Sequence, residues 1–405
     1  MISQPATAVD DALLDEARAD LPSLVELRRD LHRHPEVGLA LPRTRERVLA
    51  AIADLPLEVT TGRSVGSVTA VLTGERPGPT VLLRADMDAL PLQEETGLPF
   101  ASAVDGTMHA CGHDLHVTML VGAARLLARR RGELAGRVVL MFQPGEEGYH
   151  GARAMIEEGL LDGPDAPTAA FAIHVGTRYR SGTVHLRPGP LLAAGDTIRV
   201  TVRGAGGHAS APHLAVDPIT VAAEIVLGLQ TMVTRSIEIF DPAVLTIASI
   251  SAGTTTNVIP ETASLQGTMR TLSATTRERM RQNVRRVAEG IAAAHGATVD
   301  VELEPGYPVT ANDPAFAAHV TGVATALLGD DGVSQLDAPI MGAEDFSYVL
   351  ERVPGAMAFL GASPPDREPG EGPQGHSNRV VFDESAMPVG AALYAAVALA
   401  EVGRG

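Results

Sequence analysis

Residues 80–90 read Thr-Val-Leu-Leu-Arg-Ala-Asp-Met-Asp-Ala-Leu, an apolar run that ends on two aspartates, Asp86 and Asp88. A short apolar run bounded by polar residues predicts a strand buried on both faces. Similar runs occur at 67–73, 137–142 and 169–175, and amphipathic helical patterns surround them at 12–34, 44–55, 114–131 and 150–160. Strands alternating with helices of this length predict an α/β fold, a mostly parallel sheet with helices on both faces. The 114–131 helix carries Asp114 at its start, Arg129, Arg130 and Arg131 at its end and Gly132 beyond, in keeping with the helix dipole and a stop signal.

The pattern changes near residue 194. An alternating run at 196–202 is followed by the glycine-rich GAGGHASAPH, a helix at 215–234, strands at 244–250 and 262–270, an arginine-rich helix at 275–295 and a strand at 298–303. The β-α-β-β-α-β order is that of a ferredoxin-like α+β unit. After Pro305 the first pattern returns and ends in an apolar helix at 387–402. The expected division is a main domain of residues 1–193 and 306–405 with a smaller domain, 194–305, inserted. SPPDREPGEGPQG, ahead of the last helix, reads as a mobile surface loop.

Composition narrows the chemistry. All 32 basic residues are arginine, which excludes the lysine-dependent P-loop, pyridoxal-phosphate and protein-kinase mechanisms. Cys111 is the one cysteine, so an internal disulfide and every CxxC motif are excluded too. A formal charge of −17 argues against nucleic acid and anionic membrane as partners. The N-terminal MISQPATAVDDALLDEARAD lacks a basic segment followed by an apolar one. With no run of about 18 uninterrupted apolar residues, the expectation is a cytoplasmic protein.

Two motifs are decoys. Gly62-Arg63-Ser64-Val65-Gly66 fits the G-x-S-x-G pattern of serine hydrolases, but strand-like sequence on both sides predicts a turn, not a strand-to-helix elbow. Gly204-Ala205-Gly206-Gly207 lacks the third glycine of a dinucleotide fingerprint.

In an open parallel sheet, ligands collect beyond the carboxyl ends of the strands. Asp86 and Asp88 follow one strand, Glu146 and Glu147 (in QPGEEG) a second, and His174 a third, while the loop before the 114–131 helix carries His109, Cys111, His113 and Asp114. Alone, a Glu-Glu pair is usually solvated, a single histidine after an apolar run is usually a core residue, and a lone cysteine behaves as a small hydrophobe. Together, four segments bring potential metal ligands to one edge. Cys-x-His in a turn lets both side chains point at one centre, and thiolate, imidazole and carboxylate suit zinc better than magnesium or calcium. Paired ions, held about 3.5–4 Å apart, would need a bridging ligand, which a thiolate can be. Glu146, beside Glu147, could then act as general base.

RADMDAL, MHACGHD, FQPGEEGYHGARAMIEEGL, GAGGHASAPHLAVDPI, TNVIP, GTMR, MGAEDF and GHSNRVVFDE, in that order over nearly the whole chain, resemble the dinuclear-metal amidohydrolases. That group includes hippurate hydrolase, the auxin–amino-acid conjugate hydrolases and the N-acyl-L-amino acid amidohydrolases. The resemblance implies a zinc-exopeptidase-like catalytic domain and an inserted lid that forms a homodimer or higher homo-oligomer. It implies two divalent metal ions, zinc first with manganese, cobalt or nickel as alternatives. Cys111, His113, Glu147, His174 and His376 match the metal ligands, with Cys111 as bridge. Glu146 matches the general base and Asp88 the carboxylate that supports the centre. His208 matches a histidine that reaches the scissile carbonyl, sometimes across a dimer interface; Asn257 and Arg270 match groups that bind substrate carbonyl or carboxylate. Met341–Phe346 matches a segment lining the pocket. Gln374-Gly375 departs from the pattern, where a bulkier residue is common before the histidine.

The expected reaction is metal-dependent hydrolysis of a small-molecule N-acyl-L-amino acid to a carboxylic acid and a free amino acid. His208 or Asn257 would stabilise the oxyanion, and lid closure would bring the inserted domain to the metals. The alternatives are a dipeptidase or other exopeptidase, an N-acetyl-diaminopimelate-type deacetylase, a silent acyl-amino-acid-binding homologue, and a redox protein using Cys111.

Overall fold

A computed structural model describes residues 12–403; the first eleven residues of the acidic N-terminal stretch lie outside it. The chain divides into two compact units. One comprises the described residues up to Leu191 with Ala311–Ala338 and those from Asp345 on; the other comprises Leu192–Thr310 and Pro339–Glu344.

In the first unit an eight-stranded sheet runs in the order Glu58–Thr61, Val68–Thr73, Ala135–Gln143, Arg76–Asp86, Ala169–Arg180, Gly355–Ser363, Val184–Leu186, Val333–Gln335. Its middle is parallel: Arg76–Asp86 pairs in parallel with both Ala135–Gln143 and Ala169–Arg180, which pairs in parallel with Gly355–Ser363. The register sets Asp86 opposite Gln143 and Arg84 opposite Ala172, so these three strands deliver their next residues to one edge.

Helices Ala12–Arg33, His113–Arg129 and Met387–Val402 pack on one another, and the last two pack on this sheet. Leu24, Leu120, Leu127, Leu393 and Val397 are fully buried among them, where truncation of one leucine to alanine costs about 2–5 kcal/mol. The last helix lies within Glu384–Val402, which is long and apolar enough to cross a membrane by length and composition. Its face is nonetheless largely covered, from Met387 to Ala398, by the core of this unit. Tyr394 ties it to the sheet: the hydroxyl donates to the Arg84 carbonyl at 2.7 Å and accepts the Ile173 amide at 2.9 Å.

Asp114 lies in the first turn of its helix and Arg129 in the last, as expected; Asp114 is buried, and the N-cap is Gly112, without a side-chain cap. The Asp114 carboxylate instead faces Arg28 Nε at 2.8 Å and His32 Nδ1 at 2.8 Å. Gly132 falls in the short 3-10 turn Arg131–Glu133 that follows, and the helix ends at Arg129.

The second unit carries an antiparallel sheet in the order Ala243–Ala252, Thr262–Thr271, Ala194–Arg203, Thr298–Pro305, with helices Pro218–Ser236 and Ala274–Ala294 packed against it. This is the ferredoxin-like arrangement. Ile198, Val200 and Val202 are buried at every second position of the Ala194–Arg203 strand, as the period of two requires. Asp217 and Ser273 cap the two helices, accepting the Ile219 amide at 2.9 Å and the Thr276 amide at 3.0 Å.

Candidate metal centre

The Cys111–His113 turn is shaped by its middle residue. Gly112 has φ +82°, and a Cβ there would stand 2.4 Å from Val175 Cγ2, so both conformation and space call for glycine. Cys111 and His113 therefore leave the chain on either side of a left-handed residue. His113 Nδ1 donates to the Asp88 carbonyl at 2.8 Å, and His174 Nδ1 donates to the Val175 carbonyl at 2.7 Å. Each bond occupies Nδ1 and leaves Nε2 as the nitrogen that offers a lone pair to a metal when the ring is neutral.

Those lone pairs meet the thiol. Cys111 Sγ lies 3.4 Å from His174 Nε2, and the donor atoms of Cys111, His113 and His174 are all within 4.8 Å of one another. The donor atoms of Cys111, Glu147 and His376 form a second group on the same criterion, with His376 Nε2 at 3.1 Å from Glu147 Oε1. His113, Glu146 and Glu147 form a third. Cys111 belongs to both of the first two groups. His174 sits within its strand, which continues to Arg180, at a point where pairing with Arg76–Asp86 has stopped and pairing with Gly355–Ser363 goes on.

The Glu146-Glu147 pair is placed by Asp88. Its Oδ1 accepts the Glu146 amide at 2.8 Å and its Oδ2 the Glu147 amide at 3.0 Å. Asp88 and Glu146 are both buried. His376 is one of three described non-glycine residues at positive φ (+69°), and its amide donates to the Ala110 carbonyl at 2.9 Å. The proline- and glycine-rich loop before it is fastened to the strand of His174: Thr177 Oγ1 donates to the Pro373 carbonyl, and Arg178 Nη2 to Gln374 Oε1.

Electrostatics favour charged donors. Burial pushes the Cys111 thiol up, but the His174 and His113 imidazoles outweigh it and bring the thiol down to about 6. Contacts with Cys111 and Glu147 push His376 up to about 10. Burial raises the Glu147 carboxyl, yet His376 and His113 hold it below its usual range. His113 Nε2 is buried and makes no hydrogen bond, though it lies 3.4 Å from Asp86 Oδ2 and 4.0 Å from Glu147 Oε1. A buried imidazole nitrogen left without a hydrogen bond beside a low-pKa thiol and carboxylates fits a bound cation, which would take the place of its proton.

Beneath this cluster lies a buried layer that the sequence did not single out. Arg84 Nη1 donates to Asp86 Oδ2 at 2.8 Å, Nε to Gln143 Oε1 at 2.8 Å and Nη2 to Asp345 Oδ1 at 3.2 Å. Asp345, in the MGAEDF segment, also accepts from Gln143 Nε2 and the Ala152 amide. Burial holds His116 below the ordinary imidazole range. The available signal was its spacing, three residues after His113 on one helix face.

In the second unit, His208 and Asn257 are neighbours. Gly207–His208 pairs with Val258–Ile259, and the Ala209 amide donates to the Asn257 carbonyl at 3.1 Å. His208 is exposed, with Nδ1 accepting the Ser210 amide at 3.1 Å. Arg270 is half-buried, its Nη1 2.9 Å from where a Cβ on Gly195 would stand.

Ser64 lies in a turn between strands Glu58–Thr61 and Val68–Thr73, its hydroxyl donating to Glu158 Oε1 at 2.6 Å, without a histidine partner. A groove of about 420 Å³ nearby, lined by Thr60, Arg63, Thr69 and Glu158 among others, contains none of the cluster residues above.

Comparison with known proteins gives the family. The model of Peptidase family M20/M25/M40 matches residues 82–400. N-acetylcysteine deacetylase of Bacillus subtilis is 38% identical over 377 residues, covering 93% of this chain and 96% of its own. Thermostable carboxypeptidase 1 of Saccharolobus solfataricus is 38% identical over 382 residues, covering 93% and 94%. The crystal structure of the Bacillus subtilis YXEP protein, a dinuclear metal binding peptidase from the M20 family, is similar with a TM-score of 0.82 at 35% identity, over 95% of this chain and 99% of that one. The chain belongs to Peptidase family M20/M25/M40.

Proposed function

We propose that the protein hydrolyses the amide bond of N-acyl-L-amino acids, releasing a carboxylic acid and a free amino acid. The observation that carries this reading is Cys111, common to two donor groups, with the buried Glu146 alongside. Cys111, His113 and His174 would hold one divalent ion, and Cys111, Glu147 and His376 a second. Zinc suits a thiolate, imidazole and carboxylate set best, with manganese, cobalt or nickel as alternatives. When bound, such a pair polarises the substrate carbonyl and lowers the pKa of the attacking water.

The residues do the rest. Glu146, held by its amide to Asp88, takes the proton of the attacking water and returns it to the leaving amine. His208, with Asn257 beside it, stabilises the charge that develops on the carbonyl oxygen. Arg270 offers a guanidinium fork to the free carboxylate of the amino-acid half. A single thiol serving as a ligand must stay reduced, which favours a cytoplasmic setting.

We also propose a homodimer through the second unit. Ala243–Ala252 is an edge strand with Val244 and Ile250 exposed, and Phe240 just before it is 87% exposed. Unpaired edges with apolar side chains are usually covered, and a second copy of this strand would supply the missing ladder.

The reading is tested by metal analysis with a substrate panel of N-acetyl, N-benzoyl and dipeptide compounds. The expected result is two ions per chain and turnover of acyl substrates, with Glu146→Gln losing roughly 10²–10⁴ in kcat. Full activity of Glu146→Gln with metal bound overturns it. Faster turnover of dipeptides would favour the exopeptidase reading, which the carboxypeptidase relative keeps open.

A further inference from the structure

Val175 is held by histidines at both of its backbone polar atoms. Its N–H donates to His116 Nε2 at 2.8 Å, and its carbonyl accepts from His174 Nδ1 at 2.7 Å. The reason lies in the sheet. Ala169–Arg180 pairs with Arg76–Asp86 only as far as Ala172 opposite Arg84, so beyond that point one edge of a buried strand has no partner. A buried amide left there would cost about 1–3 kcal/mol. His116, wholly buried on the His113–Arg129 helix, stands in for the missing strand.

The bond directions fix the tautomer of His116. Because Nε2 accepts from Val175, the ring proton sits on Nδ1, which donates to Asp86 Oδ1 at 2.5 Å. The other oxygen of Asp86 is held by Arg84 Nη1 at 2.8 Å. The His116 and His174 rings are 4.8 Å apart, edge to face at 68°. A line of bonds therefore runs Arg84, Asp86, His116, the Val175 N–H and, across the Val175 Cα, the Val175 carbonyl and His174, with every donor matched to an acceptor.

We propose that His116 is a positioning residue that aims the His174 imidazole at Cys111 through the backbone of Val175. This rests on the reading of His174 as a metal ligand. Without His116 the Val175 N–H loses its partner on the side away from Gly355–Ser363, and the backbone there relaxes, shifting the Val175 carbonyl that fixes the His174 ring.

The test uses cobalt as the probe, read by its thiolate-to-metal and d–d absorption bands and by competition with a chelator. His116→Leu is expected to lose about 10–100-fold in cobalt affinity and to shift the bands, as when the supporting partner of a ligand is removed. His116→Gln can place Oε1 near the lost Nε2, and is expected to recover most of the affinity, with a residual loss on the order of threefold to tenfold. Wild-type affinity and bands in both variants overturn the role of His116. A wild-type protein that binds no cobalt overturns instead the ligand assignment beneath it. Should His116→Leu fail to fold, the glutamine variant decides, and unchanged affinity there overturns the proposal.

Discussion

Asp88 Oδ1 accepts the backbone amide of Glu146 at 2.8 Å, so the residue proposed as general base is aimed by a carboxylate on the neighbouring strand end. Its Oδ2 takes the next amide, Glu147, at 3.0 Å. Asp88→Asn turns one of these acceptors into an N–H facing an N–H. The expected result is a fall in kcat of about 10–100-fold with bound metal little changed, measured by steady-state kinetics beside metal analysis.

Cys111 joins two donor groups, so its loss should not be graded. Cys111→Ala is expected to lose bound metal and activity together, read by atomic emission on the dialysed protein. If both survive, the centre lies elsewhere. Alkylation that abolishes turnover in protein shown to be free of metal would instead support a thiol mechanism.

His32 lies between Asp114 at 2.8 Å and Glu94 at 3.3 Å. Burial pushes its imidazole down, but the two carboxylates outweigh it and the value is raised. A raised folded value stabilises the protein fully below the unfolded pKa of about 6.5, and the gain fades as pH rises through the folded value. The Tm gap between wild type and His32→Gln should therefore be widest at about pH 6 and narrow as pH increases. A gap that widened with pH would contradict the charged state assigned to His32.

Arg270 lies over Gly195, with Nη1 2.9 Å from the site of a Cβ. Arg270→Leu is expected to raise KM roughly 10–100-fold for substrates with a free carboxylate, the worth of a charge-assisted pair, and far less for their methyl esters. Gly195→Ala, which displaces the guanidinium by one methyl group, should show the same selectivity at smaller amplitude. Equal effects on acid and ester would mean that Arg270 does not read the carboxylate.

The Ala243–Ala252 edge can be blocked with charge. Phe240→Lys with Ile250→Lys is expected to convert a dimer to a monomer in light scattering, with the fold intact because both side chains are exposed. A wild-type monomer at the same concentration would refute the proposed interface.

The strands before Asp86, Glu146 and His174 were legible because buried parallel strands leave unbroken apolar runs. The extension of one strand to Arg180 was not, because Thr177 and Arg178 look like loop and only pairing with Gly355–Ser363 makes them strand. Asp114 was legible as a helix start, but its second role was not, for a related reason. Its charge suits a helix start, but its partners Arg28 and His32 come from a distant helix that no local pattern reveals. In the site, Cys111 and His113 announced themselves by spacing, whereas His376 could be found only by resemblance, since its approach to Glu147 is made by the fold. Arg84 and His116 act through other residues, and a side chain of that kind carries no motif of its own.

Gly112 bears on how such a centre can change over generations. Any side chain there meets Val175 Cγ2 at 2.4 Å and must also hold φ +82°. Shrinking Val175 would relieve the first obstacle and leave the second. The Cys-Gly-His triplet is thus inherited as one indivisible piece: drift can rewrite the substrate-facing rim residue by residue, while the triplet has no single-step neighbour that keeps both flanking side chains on target.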